Sequence, residues 1–350
     1  MKIVFLYPLR RDAYDFLKEQ LPEDIEIIAK IREKYEGLRP NEDPKIIKEC
    51  KDATILMGPY VTEEILEHAA PSKGGNLKLI LIPWTGVDRL NFDIMKKYEI
   101  PVANSHGNAR TVAEHAIALL LAAAKNLIHH YLLLRRGDWS DRFSGNYPSL
   151  NITGKTVGLL GLGAIGTECA KLLQGFNVKI IACRENPEKT TKEQKKLVEK
   201  IYSSNHLHKF LNHTDIIINS LPLTEETKGI ISEEEFQQMK KEVIVVNVGR
   251  GSTIDEQALY EAVKSGKIFA AGLDPQWHYP SRSNNKDENE PTYPSKYPIH
   301  EFDNVILSPH RAADLKMGYE EAHWDDVIKN ILRVYKNQEP RNLVDLKKGY

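Results

Sequence analysis

The chain has 350 residues, a formal net charge of −1, and hydrophobic and charged shares of 41% and 28%. That length suits two domains, and the balanced charge argues against nucleic acid or an anionic membrane as a partner. The three cysteines, Cys50, Cys169 and Cys183, are odd in number and lie in no ligand-like spacing, which points to a reducing cytoplasm and no structural zinc.

In chain order, "KIVFLYP" reads as a short buried strand and "RDAYDFLKEQL" as an amphipathic helix. The N-terminus has no apolar core and cleavage site of the kind a secretion signal needs. "ATILMG" is a strand, "TEEILEHAA" a helix opened by a Thr cap, and "LKLILIPWTG" another strand. "FDIMKKYE" is helical and "IPVANS" strand-like. Such alternation belongs to a parallel sheet covered on both faces. One long helix is expected from about Thr111 to Arg136. It is apolar over more than one stripe, so a subunit contact, and with it a homodimer, is expected. Its most apolar stretch, 116–124, is too short to span a bilayer. "GDWSDRFSGNYPSLNITGK" follows as a loop.

A second series starts at "TVGLLGLGAIG" and runs through "VKIIACR", "TDIIINSLPL", "VIVVNVGRG", "IFAAGLD" and "NVILSPH". Two such series joined by one helix predict two doubly wound α/β domains. The charged piece 185–200 reads as a solvated helix, and 281–298 as a long loop of a length often tied to function. The last amphipathic segment, "YEEAHWDDVIKNILRVYKNQ", can cross back to the first domain. "HH" at 129–130 and "HLH" at 206–208 have no carboxylate or cysteine beside them, so no metal is expected there.

Gly161, Gly163 and Gly166 form GxGxxG between an apolar strand and a helix. The strand before and the helix after make this a dinucleotide signature. The first glycine permits a tight turn. The second lets the backbone approach a pyrophosphate, which the helix N-terminus then holds. The next strand ends at Arg184, where a site selective for NAD would carry an acid. An arginine there favours a 2′-phosphate, so NADP(H) is expected to be preferred, with NAD(H) possible. The alternative is an arginine stacked on adenine, with either cofactor accepted.

"GLGAIG", then "LPLTEETKGIISEEEFQQMKKEVIVVNVGRGSTIDEQALYEAVKSGKIFAAGLD", then "NVILSPH", together resemble the D-isomer-specific 2-hydroxyacid dehydrogenases, as do "LKLILIPWTGVDRLN" and "IPVANSHGNARTVAEHAIALLLA" upstream. The resemblance covers nearly the whole chain. It implies a flavodoxin-like substrate domain, 1–103 with 311–350, and a Rossmann dinucleotide-binding domain, 104–310, with the active site in the cleft between them. By the same resemblance Arg250 grips the substrate carboxylate, a task that suits its planar fork. His310 is the general acid for a carbonyl oxygen, and its ordinary pKa suits both directions. Read from its own stretch alone, His310 is more simply a structural polar group at a strand end. Asp274 matches a residue that holds the nicotinamide carboxamide. The implied cofactor set adds Thr111, Ala164, Ile165, Leu221, Pro222, Thr227, Val248 and Gly249. In the first domain, Thr85 and Gly86 match the loop whose amides take the carboxylate. Asn108 and Thr111 fall in the hinge segment, and Trp84 is either a pocket wall or core.

One departure stands out. The family usually has a glutamate five residues beyond the aspartate, followed by Pro, to hydrogen-bond the histidine. Here Tyr279 stands at that spacing before Pro280, while Glu290–Pro291 is the other candidate beyond an inserted loop. Tyr279 keeps the spacing and is preferred. A tyrosine supplies no negative charge to favour imidazolium, so reduction is expected to fade earlier as pH rises than in glutamate-bearing relatives. The resemblance implies a reductase of a small 2-oxo acid such as glyoxylate or hydroxypyruvate, expected to prefer NADP(H) because of Arg184 and to be cytoplasmic because of its cysteine usage. Phosphoglycerate, formate and phosphite oxidation are alternatives on the same scaffold, as is a dinucleotide-sensing corepressor.

Overall fold

The structure, a computed structural model, describes residues 1–32, 39–280, 291–314 and 319–350, without the side chains of 319–322. It divides into two compact units, Met1–Asn108 with Leu315–Tyr350, and Ala109–Asp314.

The first unit holds a five-stranded parallel sheet, β1 (Lys2–Phe5), β2 (Glu26–Ile28), β3 (Ile55–Met57), β4 (Leu79–Ile82) and β5 (Val102–Asn104), in the order β2-β1-β3-β4-β5. Every residue of β3, β4 and β5 is buried. The runs of β3 and β4 are therefore continuously apolar rather than alternating, as a sheet covered on both faces requires, while β5 ends on the buried Asn104. Ile3, Phe5, Ile55, Met57, Leu79 and Leu81 pack on the helices Arg11–Gln20 and Tyr319–Tyr335. Val4, Leu56 and Ile80 turn the other way, onto Ile46, Leu66 and Met95 of three shorter helices.

The second unit is a seven-stranded parallel sheet in the order β12-β11-β10-β9-β6-β7-β8. Its strands are β6 (Thr156–Leu160), β7 (Lys179–Arg184), β8 (Lys200–Ser203), β9 (Ile216–Asn219), β10 (Val243–Asn247), β11 (Ile268–Leu273) and β12 (Val305–Leu307). The helix Ala109–Ala124 lies across β10 and β11. A Cβ on Gly272 would stand 2.9 Å from that of Leu119, so this glycine sets how closely helix and sheet meet.

Three expectations need correction. The helix foreseen from Thr111 to Arg136 is two helices, Ala109–Ala124 and Leu127–Arg135, bent by 67° at the break. Asn126 causes it: the residue is left-handed (φ 47°) and its buried side-chain amide donates to the Pro148 carbonyl at 2.9 Å. The charged piece 185–200 is a 3₁₀ turn, Pro187–Lys189, and a short α-helix, Lys192–Leu197, before β8 begins. The loop 137–155 contains a four-residue helix, Asp141–Ser144. The edge strands β2 and β8 have three and four residues and carry too short an apolar run to be recognised from sequence. Of the loop foreseen over 281–298, residues 281–290 lie outside the described residues. No single helix among the described residues is long and apolar enough to cross a membrane.

Candidate active site

In the second unit the strands point their carboxyl ends at one edge. Gly161 follows β6, Arg184 ends β7, Leu221 follows β9, Arg250 follows β10, Asp274 follows β11 and His310 follows β12. Ligands of doubly wound sheets bind along this edge.

The glycine turn fits a dinucleotide. Gly161 has φ +97°, and a Cβ on Gly166 would meet the Gly161 carbonyl oxygen at 2.1 Å, so neither position admits a side chain without rearrangement. Gly163 is exposed, with nothing near the place a Cβ would take. The helix Ala164–Leu173 starts there without a side-chain cap. The amides of Ala164, Ile165 and Gly166 find no acceptor among the described residues, and a first turn of free N–H groups attracts an anion.

Arg184 is half-buried, with its Nη1 3.4 Å from Thr190 Oγ1 and 3.5 Å from Gln194 Oε1, both long contacts. Gln194 donates in turn to the Leu162 carbonyl at 3.1 Å and Thr167 Oγ1 at 2.9 Å, which links this arginine's surroundings to the glycine turn. Thr227 Oγ1 donates to the Pro222 carbonyl at 2.6 Å and accepts from the Thr224 amide at 2.8 Å, shaping the loop after β9. The Leu221 amide donates to Asn219 Oδ1 at 3.1 Å, and the Val248 amide donates to the Asn219 carbonyl at 2.9 Å. A Cβ on Gly249 would sit 2.5 Å from the Leu221 carbonyl, so the two loops meet backbone to backbone. Thr111 lies half-buried in the first turn of the helix Ala109–Ala124.

Arg250 is held by its own carbonyl, which accepts from Asn247 Nδ2 at 2.9 Å and Thr253 Oγ1 at 2.6 Å. Its Nη1 donates to the Gly249 carbonyl at 2.8 Å, and the side chain is half-buried.

His310 has φ +58°, a conformation that costs a non-glycine residue roughly 1–2 kcal/mol. Asp274, 1% exposed, holds it there. The Asp274 carbonyl accepts from the His310 amide at 3.0 Å. Its Oδ1 takes Ser308 Oγ at 2.5 Å and the Arg311 amide at 2.8 Å, and its Oδ2 takes the Ala312 amide at 3.3 Å. Ser308 Oγ is also 3.0 Å from His115 Nε2. Tyr279 is the residue on the imidazole: its hydroxyl lies 2.9 Å from His310 Nδ1 and accepts from the Gln276 amide at 2.9 Å. The Gln276 side-chain amide donates to the carbonyls of Leu273 (3.0 Å) and Ser308 (2.9 Å), tying the ends of β11 and β12 together. Glu290 lies outside the described residues.

The first unit presents its own set at the carboxyl ends of its strands. Trp84, Thr85 and Gly86 follow β4, and Asn108 follows β5. The Thr85 hydroxyl donates to Asn108 Oδ1 at 3.1 Å and to the Ser105 carbonyl at 3.3 Å. The amides of Thr85 and Gly86 have no acceptor among the described residues. Trp84 is half-buried, packs on the unit's core and meets Tyr7 edge-on at 5.5 Å, so one face belongs to the core and the rest can serve as a wall.

Sequence reasoning missed Gln276, Ser308 and His115. Each stood near a recognised motif, Ser308 two residues before His310, Gln276 two after Asp274 and His115 four after Thr111, but no residue pattern gave it a role. The cysteines are free and buried, and burial pushes each thiol up to about 12, which removes them as nucleophiles.

A family model described as "D-isomer specific 2-hydroxyacid dehydrogenase, NAD binding domain" matches residues 117–312. The chain is 35% identical over 307 residues to a hydroxypyruvate reductase of Thermotoga maritima, covering 87% of this chain and 89% of that protein. It is 33% identical over 351 residues to a D-3-phosphoglycerate dehydrogenase of Methanocaldococcus jannaschii, covering 99% of this chain but only 60% of that longer protein. Among solved structures, an acyclic imino acid reductase in complex with NADPH and D-arginine is similar at a TM-score of 0.74 and 25% identity, with 98% of this chain and 100% of that one covered.

Proposed function

Because the chain belongs to the D-isomer-specific 2-hydroxyacid dehydrogenase family, we propose that it reduces a small 2-oxo acid, glyoxylate or hydroxypyruvate first, with NADPH preferred over NADH. The single observation that carries this is the clamped His310, paired through Nδ1 with Tyr279, on the same sheet edge as Arg250 and the glycine turn.

The bound nicotinamide would supply the hydride that reaches the carbonyl carbon. Arg250 grips the carboxylate with its guanidinium fork and orients the 2-oxo group. In the first unit we assign carboxylate binding to the amides of Thr85 and Gly86, which have no acceptor among the described residues, with Asn108 fixing that loop and Trp84 limiting the side chain. His310 gives the carbonyl oxygen a proton from Nε2. The acid is the imidazolium, whose Nδ1–H donates to the Tyr279 oxygen, which also accepts the Gln276 amide. Its Nε2–H is the proton passed to the carbonyl oxygen, which leaves a neutral ring protonated on Nδ1. Ala164, Ile165 and Gly166 hold the pyrophosphate through their amides. Arg184 reads the adenosine ribose, and its two long contacts leave it able to turn to a 2′-phosphate. Leu221, Pro222, Thr227, Val248 and Gly249 line the remaining cofactor path, beginning from Thr111. Asp274 Oδ2, with one long partner, is the oxygen we assign to the nicotinamide carboxamide.

A homodimer is part of this reading. Leu127, Tyr131, Leu134, Trp139 and Phe143 form an exposed apolar arm in the second unit, with Phe143 86% exposed, and patches of this kind mark protein contacts. We also assign the protein to the cytoplasm, on the strength of three free, buried cysteines.

The test is absorbance loss at the nicotinamide band, NADPH and NADH in parallel, against glyoxylate, hydroxypyruvate, pyruvate and longer 2-oxo acids. Faster oxidation of NADPH with one of the first two supports the proposal. Cofactor binding without turnover of any 2-oxo acid would overturn it.

A further inference from the structure

The reaction makes no use of the pair His129–His130, and the fold brings to it the carboxylates that the local sequence lacked. His129 Nε2 lies 2.7 Å from Asp141 Oδ2, and His130 Nδ1 lies 3.8 Å from the same oxygen. One ligand atom from each of the three residues falls within 4.8 Å of the others. His129 is 9% exposed and Asp141 12%, so two of the three donors sit below the surface. The other nitrogen of His129 faces a second carboxylate, with Nδ1 3.4 Å from Asp303 Oδ1. Tyr147 stacks on the His129 ring at 3.8 Å between centroids and donates its hydroxyl proton to Asp303 Oδ2 at 2.9 Å.

We propose that His129 Nε2, His130 Nδ1 and Asp141 bind one divalent transition-metal ion of the zinc class, with water completing a four-coordinate shell. Three arguments converge. Metal-bound histidines nearly always donate their other ring N–H to a carboxylate, a backbone carbonyl or water, which fixes tautomer and ring plane. Asp303 is that carboxylate, and Tyr147 fixes both of them. Tetrahedral bonds of about 2.1 Å put donors about 3.4 Å apart, and the contacts of 2.7 and 3.8 Å bracket that spacing. The ion replaces the proton shared by Nε2 and Asp141, leaving His129 neutral and putting two positive charges where two carboxylates flank one histidine. Two imidazoles and one carboxylate without thiolate favour Zn²⁺, Co²⁺, Ni²⁺ or Cu²⁺ over Mg²⁺ or Ca²⁺.

The site serves as a clip. It joins the helix Leu127–Arg135 to the short helix Asp141–Ser144 and, through Asp303, to the amino end of β12. His310 follows the carboxyl end of that strand, so the ion takes no part in the proton transfer. Its effect is to order the arm that carries Leu127, Trp139 and Phe143.

The experiment uses tag-free protein stripped with a chelator and titrated with Zn²⁺ calorimetrically and with Co²⁺ by absorption. The expected result is one ion per chain with a micromolar or tighter Kd, four-coordinate Co²⁺ bands, and a Tm raised by several degrees. H130Q and D141N should each weaken binding at least 100-fold, and D303N by 10–100-fold, while NADPH-dependent turnover stays within twofold. Absence of Co²⁺ bands, or binding unchanged in H130Q and D141N, would overturn the proposal and leave His129 in a metal-free ion pair. His130 is the more exposed ligand, and H130Q removes it without opening the core. The Co²⁺ spectrum of the unmodified protein stands whether or not D141N folds.

Discussion

The hydroxyl of Tyr279 sits 2.9 Å from Nδ1 of His310 while accepting the Gln276 amide at the same distance. A neutral partner can orient the imidazole and choose its tautomer, but it adds no charge to favour imidazolium. Y279F should therefore lower kcat for reduction about tenfold, in the range of a lost orienting hydrogen bond, with KM changed little. Y279E should move the alkaline fall of the reductive rate to higher pH, because a carboxylate favours the protonated ring. E290Q should leave the pH–rate profile as it is. If Y279F matches the unmodified enzyme and E290Q does not, the partner has been assigned wrongly.

What sequence could supply here was whatever depends on neighbouring residues. Gly161 and Gly166 are demanded by local backbone geometry, and that demand is visible as a short motif. Tyr279 could be placed by counting five residues from Asp274. The break at Asn126 could not, because it depends on a carbonyl twenty-two residues away, at Pro148. The link of His129 to Asp141 and Asp303, and the His115–Ser308–Asp274 chain, are likewise made by tertiary contact. Composition near those histidines gave no hint of the carboxylates the fold would deliver.

Arg184 supports a prediction on cofactor choice. Its contacts to Thr190 and Gln194, at 3.4 and 3.5 Å, are weak enough to yield to a phosphate. R184D should lower kcat/KM for NADPH by about 100-fold, since a charge-assisted contact is replaced by repulsion, and should raise that for NADH. Steady-state kinetics with both cofactors decide it: an unchanged ratio would mean that the guanidinium does not meet the 2′-position.

Asp274 holds the His310 turn through two oxygens of one carboxylate and its own carbonyl. D274N keeps at most one side-chain acceptor and turns an amide toward a backbone N–H. Losing a buried charged acceptor costs about 1.5–3 kcal/mol, which should appear as a lower Tm and a kcat reduced by more than tenfold. S308A removes one donor and spares the carboxylate, so it should fall between D274N and the unmodified protein in both readouts. Equal behaviour of the two variants would argue that the carboxylate does not position the turn.

The first unit should be acid-sensitive through His323, which lies 2% exposed in the helix Tyr319–Tyr335. Burial lowers its pKa from 6.5 to about 4, and the nearby Asp326 opposes this without cancelling it. His106 is shifted in the same direction, again by burial and again against Asp326. Above pH 6.5 neither the folded nor the unfolded chain protonates His323, and no stability is lost. As pH falls from about 6.5 to about 4 the unfolded chain takes up a proton that the folded one refuses, so stability drops by about 1.4 kcal/mol per unit. The total is about 3 kcal/mol, a sizeable share of what a domain has. Urea unfolding of the unmodified protein and of H323Q at pH 7.5, 6, 5 and 4.5 separates this from carboxylate protonation, which acts on both alike. H323Q should start less stable and lose less on acidification, so the two curves converge. Parallel curves would show that His323 is protonated in the folded unit and that its burial is relieved there.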